Sequence, residues 1–534
     1  MINNKIFNKI EKIFFFIAIL ASLWPVLCSN VFAMLDAPAH MYNTKLIYEV
    51  IFKQNEAVKE FYIFNPLIVP NWTGHVLLLF LFTFFNGLWT QKIFIIIYLV
   101  FFPLSFRYLI RANKGNITLS YFAFPLSYSF FFFLGFFNFL IGLPIMFFGM
   151  AYWLKNYKKN KWNHYLILAL FSLLVYFSHP ILFAVWCLFI ALLWLYELLC
   201  VLYFKNPYSS FIKNSTYLIS SVLPSVILAF LYIIYQPEAQ NTVTLSTKEL
   251  FSWILNIRSI LVFSIINELK YSYVLTLGLL IFTTTALAYS VFLFIKEKEK
   301  LNSKHIMRFF WFDLSLLILI MYLILPDETN GGGFISSRLN FMFFISFTLG
   351  LASLNQFKFI NIIFVALVLF MFHKQLFYYY SGMALLNKNA ETLIKINDYI
   401  DENACLISVD KTQNWMQGHL CNYVGVDKTV IMQHNYEASK KYFPLIWNTK
   451  QKPELFFGNL KAYNPCVWLM PSENGVSKEA DYVLIYGNNL LGEPCDSLIN
   501  NAIESNYTLY FKSSDDFVKL YKKSQPNFSF NSEK

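Results

Sequence analysis

Long apolar runs, separated by short polar stretches, dominate the first 374 residues. A run of about 20 apolar residues is long enough for one helix to cross a hydrocarbon core of ~30 Å. Twelve such segments are predicted, at residues 13–33, 73–89, 93–110, 118–134, 137–154, 164–178, 181–204, 216–235, 272–295, 306–325, 340–354 and 359–373. The pattern predicts an α-helical polytopic membrane protein.

Clusters of Lys and Arg between these segments indicate which loops are cytoplasmic, because such loops retain basic residues. The clusters lie at residues 5–12, 107–114, 155–161, 205–213 and 296–304. They alternate consistently except between residues 73 and 110, where two crossings would put Arg107 on the outer side. Segment 73–89 is the more polar of the pair, so we expect it to be re-entrant or interfacial. The prediction is then about 11 transmembrane helices, with the N-terminus inside and the C-terminus outside.

The pattern changes near residue 385. A polar helical stretch, 387–402, is followed by short β-rich runs at 405–409, 429–433, 482–486 and 507–512, which together predict a small α/β domain. We therefore divide the chain into a multi-pass transmembrane domain, 1–374, and a soluble extracytoplasmic domain, 375–534. Cys405, Cys421, Cys466 and Cys495 all fall in this tail, where an oxidising compartment would permit two disulfides of undetermined pairing.

Composition agrees with a membrane protein. Apolar residues make up 57% of the 534 residues and charged residues only 14%. The formal net charge of +11 invites a nucleic-acid interpretation. Nucleic-acid binding needs a continuous basic stripe, however, whereas these basic residues lie in separate clusters between apolar runs. We therefore attribute the excess positive charge to basic residues retained in cytoplasmic loops. No nucleic-acid partner is expected.

The first outer loop, 34–72, contains the most informative motif, Met34-Leu-Asp-Ala-Pro-Ala-His-Met-Tyr42. Asp36 and His40 are one helical turn apart, so both side chains can face the same cavity. A carboxylate and an imidazole together suit acid–base chemistry. The alternative is that Asp36 only caps the helix that follows, by accepting hydrogen bonds from its free backbone N–H groups.

A second polar constellation precedes a membrane helix on the same predicted side, in the loop 326–338. Three consecutive glycines in this loop allow a close approach of the backbone to a ligand. Arg338 at its end has the planar set of donors that binds phosphate. The alternative is that Arg338 extends to the lipid headgroups and binds nothing specific.

Three further polar residues, His75, Asn138 and His179, lie within or beside the apolar segments. Polar groups at membrane depth are candidates for lining a functional cavity. The alternative for each is a structural role at a helix end. Residue spacing indicates no zinc site, nucleotide loop or catalytic triad. No cofactor is predicted, and a divalent metal is compatible with the sequence but not indicated by it.

Taken together, these features resemble the GT-C superfamily of membrane glycosyltransferases, and more closely the uncharacterised bacterial multi-pass membrane proteins related to it. The local matches are short but span most of the chain, at Asp36 to Tyr42, Asn71 to His75, Gly135 to Phe139, Tyr176 to His179, Arg338 with Leu339, Asp481 to Gly487 and Phe517 to Tyr521. One departure is that the first outer loop offers a lone acid at this position, where many members have a pair.

The resemblance implies that Asp36 is the catalytic base and that the donor is a sugar carried on a polyprenyl phosphate. His40 would help to orient the base or the acceptor, and Arg338 would bind the donor phosphate. It also implies a bacterial inner membrane with a periplasmic tail. Two alternatives stay open: a non-enzymatic lipid or solute transporter, for which no internal repeat was found, and a glycan polymerase or ligase.

Overall fold

A computed structural model describes residues 4–159, 161–204, 208–235, 242–297, 303–329, 332–461 and 464–524. The basic clusters predicted at 205–213 and 296–304 and the loop 326–338 each include residues outside these ranges. The chain is mostly helical. Its α-helices are Asn4–Leu27, Ala37–Tyr48, Glu56–Phe61, Thr73–Phe82, Gly87–Ala112, Ala123–Ser127, Phe130–Leu134, Phe137–Asn156, Trp162–Ser178, Pro180–Phe204, Tyr208–Ile234, Thr247–Leu255, Ile265–Glu297, Ser303–Ile324, Ile335–Ser353, Lys358–Ile394 and Cys495–Asn506.

The predicted apolar segments form helices. Across the described ranges, nine helices are long and apolar enough to cross a membrane, and three shorter apolar helices lie at Thr73–Phe82, Trp162–Ser178 and Phe309–Ile324. Each of the twelve predicted segments overlaps one of these helices. The predicted helical character is therefore confirmed, and the helices are consistent with a polytopic protein.

The chain forms two compact units. The helical unit contains Met1–Cys28, Leu67–Gly74 and Phe94–Gly382, and the tail unit contains Ser29–Pro66, His75–Ile93 and Met383–Lys534. This division differs from the predicted boundary between residues 374 and 375. Most of the predicted outer loop 34–72 belongs with the C-terminal tail, because its contacts are with residues more than 300 positions away that sequence proximity does not reveal.

Within the helical unit, a buried ion pair joins two helix ends. Arg107 donates to both carboxylate oxygens of Glu11 at 2.6 Å, and each side chain is 7% exposed. The end of helix Gly87–Ala112 therefore lies beside the start of the first helix, Asn4–Leu27. At the same end of Gly87–Ala112, Asn113 donates to Ser353 at 2.7 Å.

The tail unit is built on a five-stranded mixed sheet. The strands of the chain are β1 Tyr62–Phe64, β2 Cys405–Asp410, β3 Ile431–Met432, β4 Leu445–Trp447, β5 Glu454–Phe456, β6 Ser477–Glu479, β7 Tyr482–Tyr486, β8 Tyr507–Lys512 and β9 Val518–Lys523. The sheet order is β3-β2-β7-β9-β8, with parallel pairing among the first three strands and antiparallel pairing among the rest. All four predicted β-rich runs are strands, and helix Cys495–Asn506 completes an α/β unit.

Most of the segment predicted as the first outer loop, 34–72, is part of this unit. Strand β1 pairs antiparallel with β4. Tyr42 donates its hydroxyl to Val430 O at 2.8 Å and accepts the N–H of Met432 at 2.9 Å. Gly425 permits this contact, since a Cβ there would lie 2.5 Å from the Tyr42 ring. The segment that carries Asp36 and His40 is therefore fixed against the sheet.

Both ends of segment 75–87 contact the tail. His75 lies against Glu437, and the backbone N–H of Gly87 donates to Asp427 at 2.7 Å. Helix Thr73–Phe82 has only 10 residues, a length of ~15 Å, which is too short to cross a ~30 Å core. These contacts agree with a re-entrant or interfacial segment.

One disulfide, Cys466–Cys495, forms in the tail unit. Cys405 and Cys421 are free and buried. The tail therefore has one of the two disulfides that its four cysteines permit.

Candidate functional site

Three of the predicted site residues, Asp36, His40 and His75, lie in the tail unit, and the structure brings them into one polar cluster. The other three, Asn138, His179 and Arg338, lie in the helical unit.

Asp36 occupies the N-cap position of helix Ala37–Tyr48, but its side chain makes no capping hydrogen bond. The alternative that Asp36 is merely a cap is therefore wrong. The carboxylate is 7% exposed and lies 3.6 Å from Nε2 of His419. The Tyr436 hydroxyl also hydrogen-bonds to Asp36; burial raises the pKa of Tyr436, and the negative charge of Asp36 raises it further. The Tyr436 hydroxyl therefore keeps its proton and donates a hydrogen bond to this carboxylate.

His40 pairs with Glu437. Its Nδ1 lies 2.7 Å from Oε1 of Glu437, while Nε2 of His75 lies 2.9 Å from Oε2 of the same carboxylate. All three side chains are at most 4% exposed. The ligand-type atoms of this trio lie within 4.8 Å of one another, a spacing at which they could hold a metal ion. The sequence indicated no such site.

The charge of Glu437 is stabilised locally. Burial acts to raise its pKa, but the adjacent His40 and His75 outweigh that effect and lower the pKa to about 2. Glu437 is therefore an anion enclosed by two imidazoles. His40 and His75 each sit within the first turns of their helices, Ala37–Tyr48 and Thr73–Phe82.

Aromatic rings surround the Asp36 side of the cluster. The His419 ring stacks on Tyr436 at 4.4 Å between centroids, and Nδ1 of His419 lies 3.0 Å from Nε2 of His434. Burial lowers the pKa of His419 to about 3 and that of His434 to about 4. Trp468, 40% exposed, packs edge-on against His434. At neutral pH both imidazoles are uncharged, so Asp36 is bordered by neutral hydrogen-bonding groups.

This arrangement suits Asp36 to proton abstraction. In general base catalysis, a positioned carboxylate accepts the proton of an alcohol as that alcohol becomes a nucleophile. The Tyr436 hydroxyl donates a hydrogen bond to the Asp36 carboxylate, and the His419 ring, stacked on Tyr436, lies beside it.

Arg338 is buried in the helical unit, with 9% exposure. Its guanidinium lies over the Phe136 ring at 4.6 Å and donates to Gly333 O at 2.6 Å. The side chain thus packs inside the unit instead of extending to its surface. Stacking on an aromatic face keeps the planar donor set oriented, which suits recognition of an anion.

Asn138 and His179 have local partners in the helical unit. Asn138 accepts the backbone N–H of Gly74 at 2.7 Å. His179 accepts the N–H of Ile181 at 3.2 Å and packs edge-on against Phe139. Both contacts fix helix ends, the structural role given as the alternative for each residue. His75, by contrast, lies in the Glu437 cluster.

His419, His434, Tyr436 and Glu437 were not predicted from the sequence. A local signal existed for three of them, since His434-Asn-Tyr-Glu437 concentrates polar and aromatic residues next to strand β3. The partners of His419, Tyr436 and Glu437 lie more than 350 residues earlier in the chain, so a single sequence offers no way to join them. No protein-family model and no curated protein matches this sequence.

Proposed function

We propose that this protein is a multi-pass membrane glycosyltransferase that moves a sugar from a polyprenyl-phosphate carrier to an acceptor hydroxyl on the side of the tail unit. The observation that carries the proposal is the Asp36 carboxylate, which is buried, uninvolved in helix capping and held by His419 and Tyr436. A buried carboxylate with oriented partners is the group that such a transfer needs as its base.

In the proposed reaction, the acceptor oxygen attacks the anomeric carbon of the donor while Asp36 takes the hydroxyl proton. The new glycosidic C–O bond forms as the bond to the phosphate oxygen breaks. Polyprenyl phosphate then leaves with that electron pair, and a cation stabilises the developing charge. Arg338 is the cation in this proposal. Its burial and its position over an aromatic ring support that role.

The proposal includes an arrangement of the chain across the membrane. We infer 11 crossings, with segment 73–89 remaining on the outer side. The support is that Arg107 pairs with Glu11 near the N-terminus, while the first outer loop and the C-terminal tail share one compact unit. The base and the tail would then face one compartment.

We infer that this compartment is the periplasm of a bacterial inner membrane. The Cys466–Cys495 disulfide supports an oxidising surrounding for the tail. An acceptor glycan, lipid or protein would reach Asp36 from this side.

The test is transfer by the purified full chain in proteoliposomes given polyprenyl-phosphate sugars, with release of polyprenyl phosphate as the readout. We expect release that depends on an added acceptor, and a raised KM for donor in Arg338→Gln. Arg258→Gln is the matched control, because the half-buried Arg258 also lies over aromatic rings in the helical unit. Movement of intact donor across the bilayer without bond cleavage would favour the transporter and overturn the proposal.

A further inference from the structure

We propose that His40, His75 and Glu437 bind one divalent transition-metal ion of the zinc class. The atoms involved are Nδ1 of His40, Nε2 of His75 and a carboxylate oxygen of Glu437. This proposal is independent of the transfer reaction, because its evidence is the donor set and its readout is metal content.

The donor set fits this class of ion. Two imidazole nitrogens and one carboxylate oxygen are a common three-residue set for Zn²⁺, with a fourth position taken by water or another ligand. Oxygen-only sites suit Mg²⁺ and Ca²⁺ instead, so the nitrogen donors argue against those ions. The anionic carboxylate also offsets part of the ion's charge in a buried site.

The spacing fits a single ion. Zn–N and Zn–O bonds are ~2.0–2.2 Å, which separates two ligands of a tetrahedral site by ~3.3–3.5 Å. The three atoms observed here lie within 4.8 Å of one another, so small side-chain rotations bring them onto one centre. The Glu437 carboxylate already lies between the two imidazoles, with Oε1 at 2.7 Å from His40 Nδ1 and Oε2 at 2.9 Å from His75 Nε2.

The surroundings hold the ligands rigidly, as metal sites require. Phe443 packs edge-on against both imidazole rings, at 6.0 Å from His40 and 6.1 Å from His75. The turn that carries Glu437 is tied by Asn435, whose side chain accepts the Ala438 N–H at 3.3 Å and exchanges two 3.0 Å hydrogen bonds with Asn43. Asn43 and His40 are on the same helix, so carboxylate and imidazole are positioned together.

The ion would join three separate stretches of chain: helix Ala37–Tyr48, helix Thr73–Phe82 and the turn Glu437–Ser439. Asp36 immediately precedes the first of these helices and lies one turn from His40. Metal binding would therefore fix the segment that carries Asp36.

The first measurement is metal content of the wild-type full chain, purified in detergent without affinity metals and analysed by inductively coupled plasma mass spectrometry. We expect about one Zn²⁺ per chain, either as purified or after Zn²⁺ addition and dialysis. Replacement by Co²⁺ should give the visible absorption of a four- or five-coordinate site with nitrogen ligands. A wild-type chain that retains neither ion overturns the proposal and leaves Glu437 as a carboxylate shared between two imidazoles.

Variants then assign the ligands. His75→Gln and Glu437→Gln should each lower retained metal at least tenfold, while His434→Gln, a histidine of the same unit outside the trio, should retain it. X-ray absorption of the wild-type Zn²⁺ form tests the ligand types without any variant, and we expect two imidazoles. Metal that persists in both ligand variants, or a spectrum without imidazoles, would contradict the assignment. Metal content and sugar transfer are measured separately, so a failed metal proposal and a failed transfer proposal are distinguishable.

Discussion

Because the buried imidazole of His434 is neutral in the folded protein, we predict that the tail unit loses stability in acid. His434 has its pKa lowered by burial to about 4, from an ordinary value of 6.5, although a backbone hydrogen bond acts in the opposite direction. In the unfolded chain the same imidazole takes up a proton near pH 6.5. Between these two values the unfolded state binds more protons than the folded state, so stability falls as the pH falls.

The magnitude follows from that difference. At pH 5, a histidine with a pKa of about 4 in the folded state favours unfolding by ~2 kcal/mol relative to pH 7. The side chain is partly exposed and water screens the effect, so we expect ~1–2 kcal/mol. His434→Gln keeps a hydrogen-bonding group opposite His419 but removes the titration.

The assay is pulse proteolysis of the tail unit in the full-length protein during urea titration, at pH 7 and pH 5. We expect wild type to lose ~1–2 kcal/mol more than His434→Gln over this interval. His164→Gln, a substitution of the same kind in the helical unit, should behave like wild type. An equal loss in wild type and His434→Gln would refute the reasoning.

Three further variants test the packing, each by urea titration with pulse proteolysis. Tyr42→Phe should cost ~1–3 kcal/mol in the tail unit, since it leaves the buried Met432 N–H without its acceptor; no loss would contradict the contact. Cys466→Ser should cost ~3.5 kcal/mol by opening a loop of sequence separation 29, and the effect should vanish in reducing buffer. Arg107→Ala should cost ~3–5 kcal/mol by burying Glu11 unpaired, and Glu11→Gln in the same chain should recover part of it.

The pattern of apolar residues located many of the individual elements. Each of the twelve apolar segments coincides with an apolar helix, because a continuous apolar run is a local signal that needs no distant partner. The tail strands β2, β3, β7 and β8 were located from short runs of β-branched and aromatic residues, which are also a local signal. The predicted domain boundary differed because strand β1 pairs with β4, almost 400 residues later, and such pairing leaves no local trace.

The site was predictable only in part. The one-turn spacing of Asp36 and His40 drew attention to the predicted first outer loop, which contributes residues to the candidate site. It did not reveal that the two side chains have different partners, His419 for Asp36 and Glu437 for His40. The grouping of His40, His75 and Glu437 could not be predicted from the sequence, because Glu437 is 362 residues from His75. The glycosyltransferase resemblance and the role of Arg338 stay predictions.

The central claim is that Asp36 removes the acceptor proton, and the most direct test is the rate of sugar transfer by Asp36→Asn. The substitution keeps the size of the side chain and a hydrogen-bond acceptor for Tyr436, so the fold and the metal content should be retained. We predict that kcat falls by ~10²–10⁴-fold with little change in donor KM, while Asp401→Asn, on the exposed side of the tail, keeps the wild-type rate. A folded Asp36→Asn protein that transfers sugar at the wild-type rate would contradict the account.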